Sequence, residues 1–122
     1  INIMNSSGNA LFSISNNDGN AKFSGTITTG VGTQIPDYVF EPSYKLASLS
    51  DVEAYTAQHK HLPEVPSAAE IEKGGLDLAQ MNLILLKKVE ELTLHAIAQQ
   101  KELHAQKAAF EKLLQRLDAP GN

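Results

Sequence analysis

The sequence predicts an α+β chain that assembles in threes, with short N-terminal β-strands, a small irregular collar and a long C-terminal parallel coiled coil. Three observations carry this expectation. Residues 1–35 are rich in Asn, Ser, Gly and Thr around short alternating apolar runs. Residues 76–118 contain neither Gly nor Pro. That last stretch also repeats apolar residues at heptad spacing for more than five heptads.

The strands are expected at Ala10-Leu11-Phe12-Ser13-Ile14-Ser15 and Ala21-Lys22-Phe23-Ser24-Gly25-Thr26-Ile27-Thr28. Alternation puts Phe12 and Ile14 on one face of the first run, and Phe23 and Ile27 on one face of the second. Asn16-Asn17-Asp18-Gly19-Asn20 between them is a turn, because Asn, Asp and Gly tolerate positive φ. A hairpin of two such strands is barely stable by itself in water, so this segment needs partners.

Residues 36–75 read as the collar. Pro36 and Pro42 bracket the aromatic residues Tyr38, Phe40 and Tyr44. A short helix is expected from Ser50 as N-cap, with Glu53 three residues later in the capping-box position, burying Val52, Tyr55 and Thr56. It must end before His61-Leu62-Pro63, since Pro63 disfavours helix at Leu62. A second helix starts at Ser67, answered by Glu70, and stops at Gly74-Gly75.

Residues 76–118 have the composition of a long helix, with Asp77 as N-cap and Ala119-Pro120-Gly121 as terminator. Residues 119–122 are expected to be a disordered tail. One register fits the whole helix. The a positions are Asn82, Val89, Ala96, Leu103, Phe110 and Leu117; the d positions are Leu78, Leu85, Leu92, Gln99, Gln106 and Leu113. Nine of these twelve seam positions are apolar, which specifies a coiled coil rather than a surface helix. Asn82, Gln99 and Gln106 fix register by hydrogen bonding to copies of themselves around an axis. Leu86 and Leu114 at e widen the apolar stripe and favour three strands over two. Glu102 at g and Lys107 at the following e have the sign and spacing of a parallel interchain ion pair. Met81, Leu83 and Ile84 lie off the seam, so the collar is expected to pack over the first part of the helix.

Charge narrows the partners. The formal net charge is −4, and all of it lies in residues 37–75, which hold seven acids and three lysines. No basic patch is available for a nucleic acid backbone, and no run approaches transmembrane length, so neither nucleic acid nor membrane insertion is expected. With no cysteine, a thiol nucleophile and a Cys-based zinc site are excluded. The chain opens inside an extended-looking segment and reads as an excised piece of a longer protein.

Asp37-Tyr38-Val39-Phe40-Glu41, Tyr44-Lys45-Leu46, Ser48-Leu49, His61-Leu62-Pro63, Pro66-Ser67-Ala68, Gly75-Leu76-Asp77-Leu78 and residues 85–94 occur in that order. Together they resemble a C-terminal module of Bacteroidetes tail-fibre-like and cell-surface proteins. That module is distantly similar to the S74 peptidase-like intramolecular chaperone domain of phage tailspikes and fibres. The resemblance implies a homotrimeric fibre tip, with the upstream fibre of the same chain as a second partner. It implies an extracellular location, on a cell surface, a virion or a contractile injection system. Members of the chaperone group often cleave themselves with a Ser just before an Asp and a nearby Lys. Here Pro36 stands before Asp37 and supplies no hydroxyl, and Ser50-Asp51 reads as a helix cap.

Two further site readings follow from residues alone. His59-Lys60-His61 would point two imidazoles to one side of an extended segment, and three copies could offer six nitrogens to a transition metal; the alternative is packing within the collar. Tyr38, Phe40, Tyr44 and Tyr55 could form a recognition surface for a cell-surface glycan or protein receptor, or the collar's own core. No triad order or phosphate loop is present, so no catalytic residue and no cofactor is expected. The functional expectation is an assembly module, with a receptor-binding tip and a self-cleaving chaperone as alternatives.

Overall fold

The computed structural model describes residues 1–30 and 35–121. Residues 31–34, assigned above to the 1–35 stem, and residue 122 of the tail lie outside the described residues. The fold is α+β: a small three-stranded antiparallel sheet and three helices, the last of them long. It divides into an N-terminal and a C-terminal compact unit, each considered on its own.

The N-terminal unit is the sheet β1 (Asn2–Met4), β2 (Ala10–Ile14) and β3 (Ala21–Phe23), in the order β1-β2-β3. Ile3 pairs with Phe12 and Phe12 with Phe23, so one apolar row crosses all three strands. The Phe12 and Phe23 rings stand 4.7 Å apart, a cross-strand pair worth roughly 0.2–1 kcal/mol. In the expected turn Gly19 takes φ 69°, and Asp18 accepts from the Asn20 backbone N–H and side chain. Hydrogen bonds from Ser15 and from Asn20 hold the Asp18 carboxyl below its ordinary range.

Strand β1 was not expected. It is joined to β2 by a turn in which Asn5 Oδ1 accepts from the Ser7 and Asn9 N–H groups and Gly8 takes φ 79°. Strand β3 is shorter than its apolar alternation suggests. Ser24 N–H still reaches Leu11 O, but β2 begins at Ala10, which leaves residues past Gly25 no strand to pair with. Ile27 is accordingly outside the sheet and 63% exposed.

In the C-terminal unit a 3-10 turn, Pro36–Phe40, precedes α1 (Leu49–His59), α2 (Ala68–Gly74) and α3 (Leu78–Asp118). Pro36 sits in the first turn, where its missing N–H costs nothing, and is buried with Val39 against α3. The N-cap of α1 is Ser48, which corrects the expectation of Ser50. Ser48 is extended and its hydroxyl accepts from Asp51 N–H at 3.1 Å, so Ser50 lies inside the first turn. Lys60 ends the helix in the left-handed region, φ 62°. The capping box of α2 is complete, with Ser67 and Glu70 bonding each other's backbone N–H at 3.2 and 2.8 Å. Asp77 caps α3 through Gln80 N–H. Forty-one helical residues then run about 60 Å at 1.5 Å each.

Candidate functional site

The long helix has two chemically different faces where the collar lies on it. Over residues 83–95, every residue at heptad positions b, c, f and g is buried or half-buried, and every residue at a, d and e is exposed. The collar therefore covers one side of α3 and leaves the seam side open. The covering residues are of several kinds. Pro36, Tyr38 and Glu64 lie over Leu83, Ile84 and Lys87, while Pro66 and Ile71 approach Met81 and Ile84. Beyond His95 the collar ends, and residues 96–121 are exposed all round.

The seam itself is uncovered along its full length. Leu78, Leu85, Val89, Leu92, Leu103, Phe110, Leu113 and Leu117 are between 47% and 73% exposed. Asn82, Ala96, Gln99 and Gln106 are exposed as well. Leu86 and Leu114 at e are 42% and 43% exposed. Within the chain Glu102 accepts a bond from Gln106 at 3.0 Å, one turn away.

A charged network fastens the collar to the helix. Glu64 stands at φ 67° in a turn behind Pro63, closed by Val65 N–H donating to Leu62 O at 3.2 Å. This conformation directs its carboxylate to Lys87 and Lys88, at 2.7 and 3.1 Å. Lys88 also reaches Glu91 at 3.1 Å, and Glu91 accepts from the Tyr44 hydroxyl. Burial works against the charge on Lys87, but Glu64 and the nearby tyrosines outweigh it and hold its pKa above the ordinary lysine range. Burial would likewise raise Glu64, yet bonds from Lys87 and Lys88 carry it below the usual carboxylate range. The Tyr44 hydroxyl is pushed up to about 12 by burial and by Glu91.

A second acidic contact joins the 3-10 turn to the helix. Glu90, 7% exposed, has an Oε2 with no hydrogen-bond partner. Burial, then the nearby charge of Asp37, push its carboxyl above the ordinary range.

The expected recognition aromatics fall into separate groups. Tyr38 and Tyr44 stand 5.8 Å apart beneath Lys87, which lies 5.6 and 6.0 Å from their ring centres. Phe40 is 53% exposed. Tyr55 instead stacks on His59 at 4.2 Å and meets His61 edge-on at 5.6 Å. His59 and His61 are thus engaged with one another and with Tyr55, their rings 6.0 Å apart, and His61 Nδ1 lies 2.9 Å from Leu62 O. Among the described residues no group of three or more His, Asp or Glu is arranged to hold a metal ion, and no helix is long and apolar enough to cross a membrane.

Sequence reasoning did not find the Glu64, Lys87, Lys88, Glu91 and Tyr44 network or the Glu90–Asp37 contact. The available signal was positional. Lys87, Lys88, Glu90 and Glu91 occupy f, g, b and c, the side that a collar over α3 has to cover. Comparison with protein-family models, curated proteins and solved structures finds no match.

Proposed function

We propose that this chain is a non-enzymatic trimerisation and assembly module of a phage-tail-like fibre or surface adhesin, acting outside the cell. Its three copies would join through α3 and bring upstream β-structured segments together, as an intramolecular chaperone does. One observation carries the reading: over residues 83–95 the a, d and e positions are exposed while b, c, f and g are covered. A helix that a small domain merely used as a prop would carry polar residues on its open side, whereas Leu85, Leu86, Val89 and Leu92 stand exposed there.

Magnitudes favour association. Burying a Leu, Val or Phe is worth roughly 1.5–3 kcal/mol. Eight such side chains stand exposed on the seam of each chain. Summed over one chain, that gain is of the same order as an association cost of roughly 4–15 kcal/mol or larger. The lower half of α3 adds a second argument. A helix with no tertiary contacts is marginal in water, so residues 96–118 need neighbours to remain helical. The polar residues Asn82, Gln99 and Gln106 favour a defined register, and Leu86 and Leu114 at e favour three strands.

Leu103→Asp tests the proposal. Leu103 is 64% exposed and lies beyond the collar, so the change leaves the collar's packing intact. In a trimer it places three like charges around one axis. The expected result is a monomer with reduced helical circular dichroism and loss of amide-exchange protection in the sheet. A variant that stays trimeric contradicts the seam, and a monomer whose sheet amides keep wild-type protection contradicts the organising role.

A further inference from the structure

An apolar groove runs between the collar and α3. Leu46, Leu49, Val52 and Leu62 form its collar wall, and Lys88, Glu91, Leu92 and His95 form its helix wall. Leu49 and Leu62 are each 43% exposed. The charged members of the helix wall do not make the groove polar, because their heads are tied elsewhere. Lys88 is held by Glu64 and Glu91, and Glu91 by Tyr44. His95 Nε2 lies 3.1 Å from Ala47 O and fixes the segment after Leu46 against the helix.

The groove continues the seam. Leu92 belongs to both, as a d residue and as part of the groove wall. Lys88 and His95 are g positions, so the groove opens on the g side of α3. In a parallel bundle the g side of one helix faces the e side of the next. At about 100° per residue the b position adjoins e on that same side. Two apolar residues of α3 lie there, outside the a and d positions and not under the collar: Leu86 at e, 42% exposed, and Ile97 at b, 44% exposed. They bracket the level of residues 88–95, where the groove lies, as an in-register neighbour would present them.

We propose that each groove is filled by a neighbouring copy of α3, whose Leu86 and Ile97 seat against Leu46, Leu49, Val52 and Leu62. This rests on the parallel three-chain reading and deepens it, because each collar then clamps two chains instead of decorating one. Register would be read twice, by the polar seam residues and by the collar. An antiparallel neighbour would bring its own g side and collar to the groove, with Lys88 and His95 in place of Leu86 and Ile97.

Cysteine pairs test the contact in a chain that has none of its own. Leu49→Cys and Ile97→Cys are introduced together, both at partly exposed positions that tolerate the change. Ile97 and the groove lie on roughly opposite sides of their own helix, so a short thiol–thiol crosslinker cannot join them within one chain. The expected product is covalent trimer from most of the protein, with the two single variants remaining monomeric on a denaturing gel. Phe110→Cys serves as the control, since an a position crosslinks in any parallel coil whether or not the groove is filled. Crosslinking at 110 without 49-to-97 linkage overturns the groove contact and leaves the trimer reading standing. A link confined to one chain also overturns the contact. Failure at both places, with a monomeric mass, overturns both.

Discussion

Glu64 occupies a backbone conformation that glycine would hold more easily, at φ 67° behind Pro63. Its side chain is what the position uses. It joins the collar turn to Lys87 and Lys88, residues 23 and 24 places further along the chain. Glu64→Gly separates the two effects. Release from the left-handed region gains about 1 kcal/mol. The ion pairs to a half-exposed carboxylate are worth under about 1 kcal/mol each. The lysines decide the sign, because their side chains are only 15% and 13% exposed and Lys87 has no other carboxylate among the described residues. Stranding that ammonium adds a desolvation cost, and the variant should lose about 1–2 kcal/mol in denaturant melts. A glycine variant as stable as the wild type would show that the turn, and not the charge, holds the collar.

At the scale of elements, the joint between the 3-10 turn and α3 contains a group that works against it. Glu90 is buried beside Asp37 and its carboxyl is pushed above the ordinary range. The folded state therefore binds this proton more tightly than the unfolded chain does. Stability from this group is present below the ordinary carboxylate range and is lost as pH rises through the raised pKa. Glu90→Gln removes the titration, so it should melt higher than the wild type at pH 7, with the difference shrinking as pH falls to 4. An equal difference at both pH values would remove Glu90 from the pH response. The elements themselves were legible to differing degrees, for physical reasons. Helix α3 was plain because its stretch lacks Gly and Pro and has Asp77 at its start, and α2 because Ser67 and Glu70 are the complete box. The start of α1 was misread because Ser48 and Ser50 offer similar hydroxyls, and the choice depends on which N–H lies within reach. Strand β1 has only three residues, with a register shift between Ile3 and Met4, so its alternation was too brief to read. The uncovered side of α3 was legible as a heptad. The charged contacts on its other side were not, since they join residues far apart in sequence.

Across the whole molecule, one division of labour runs along α3. The collar covers b, c, f and g over residues 83–95 and leaves a, d and e open; copies of the same helix are the proposed cover for that open side. Three short, polar, Gly-containing sheets cannot bury much apolar surface separately. Under the proposed assembly, three copies held on one coil would meet at the high effective concentration of a linked system, which would lower the cost of pairing strands from different chains. Sedimentation equilibrium of the wild-type chain at micromolar concentration tests this most directly. The expected result is a single species with three times the 13.2 kDa mass of one chain. A dimer would overturn the strand number, and a monomer would contradict the proposal that α3 is an assembly seam.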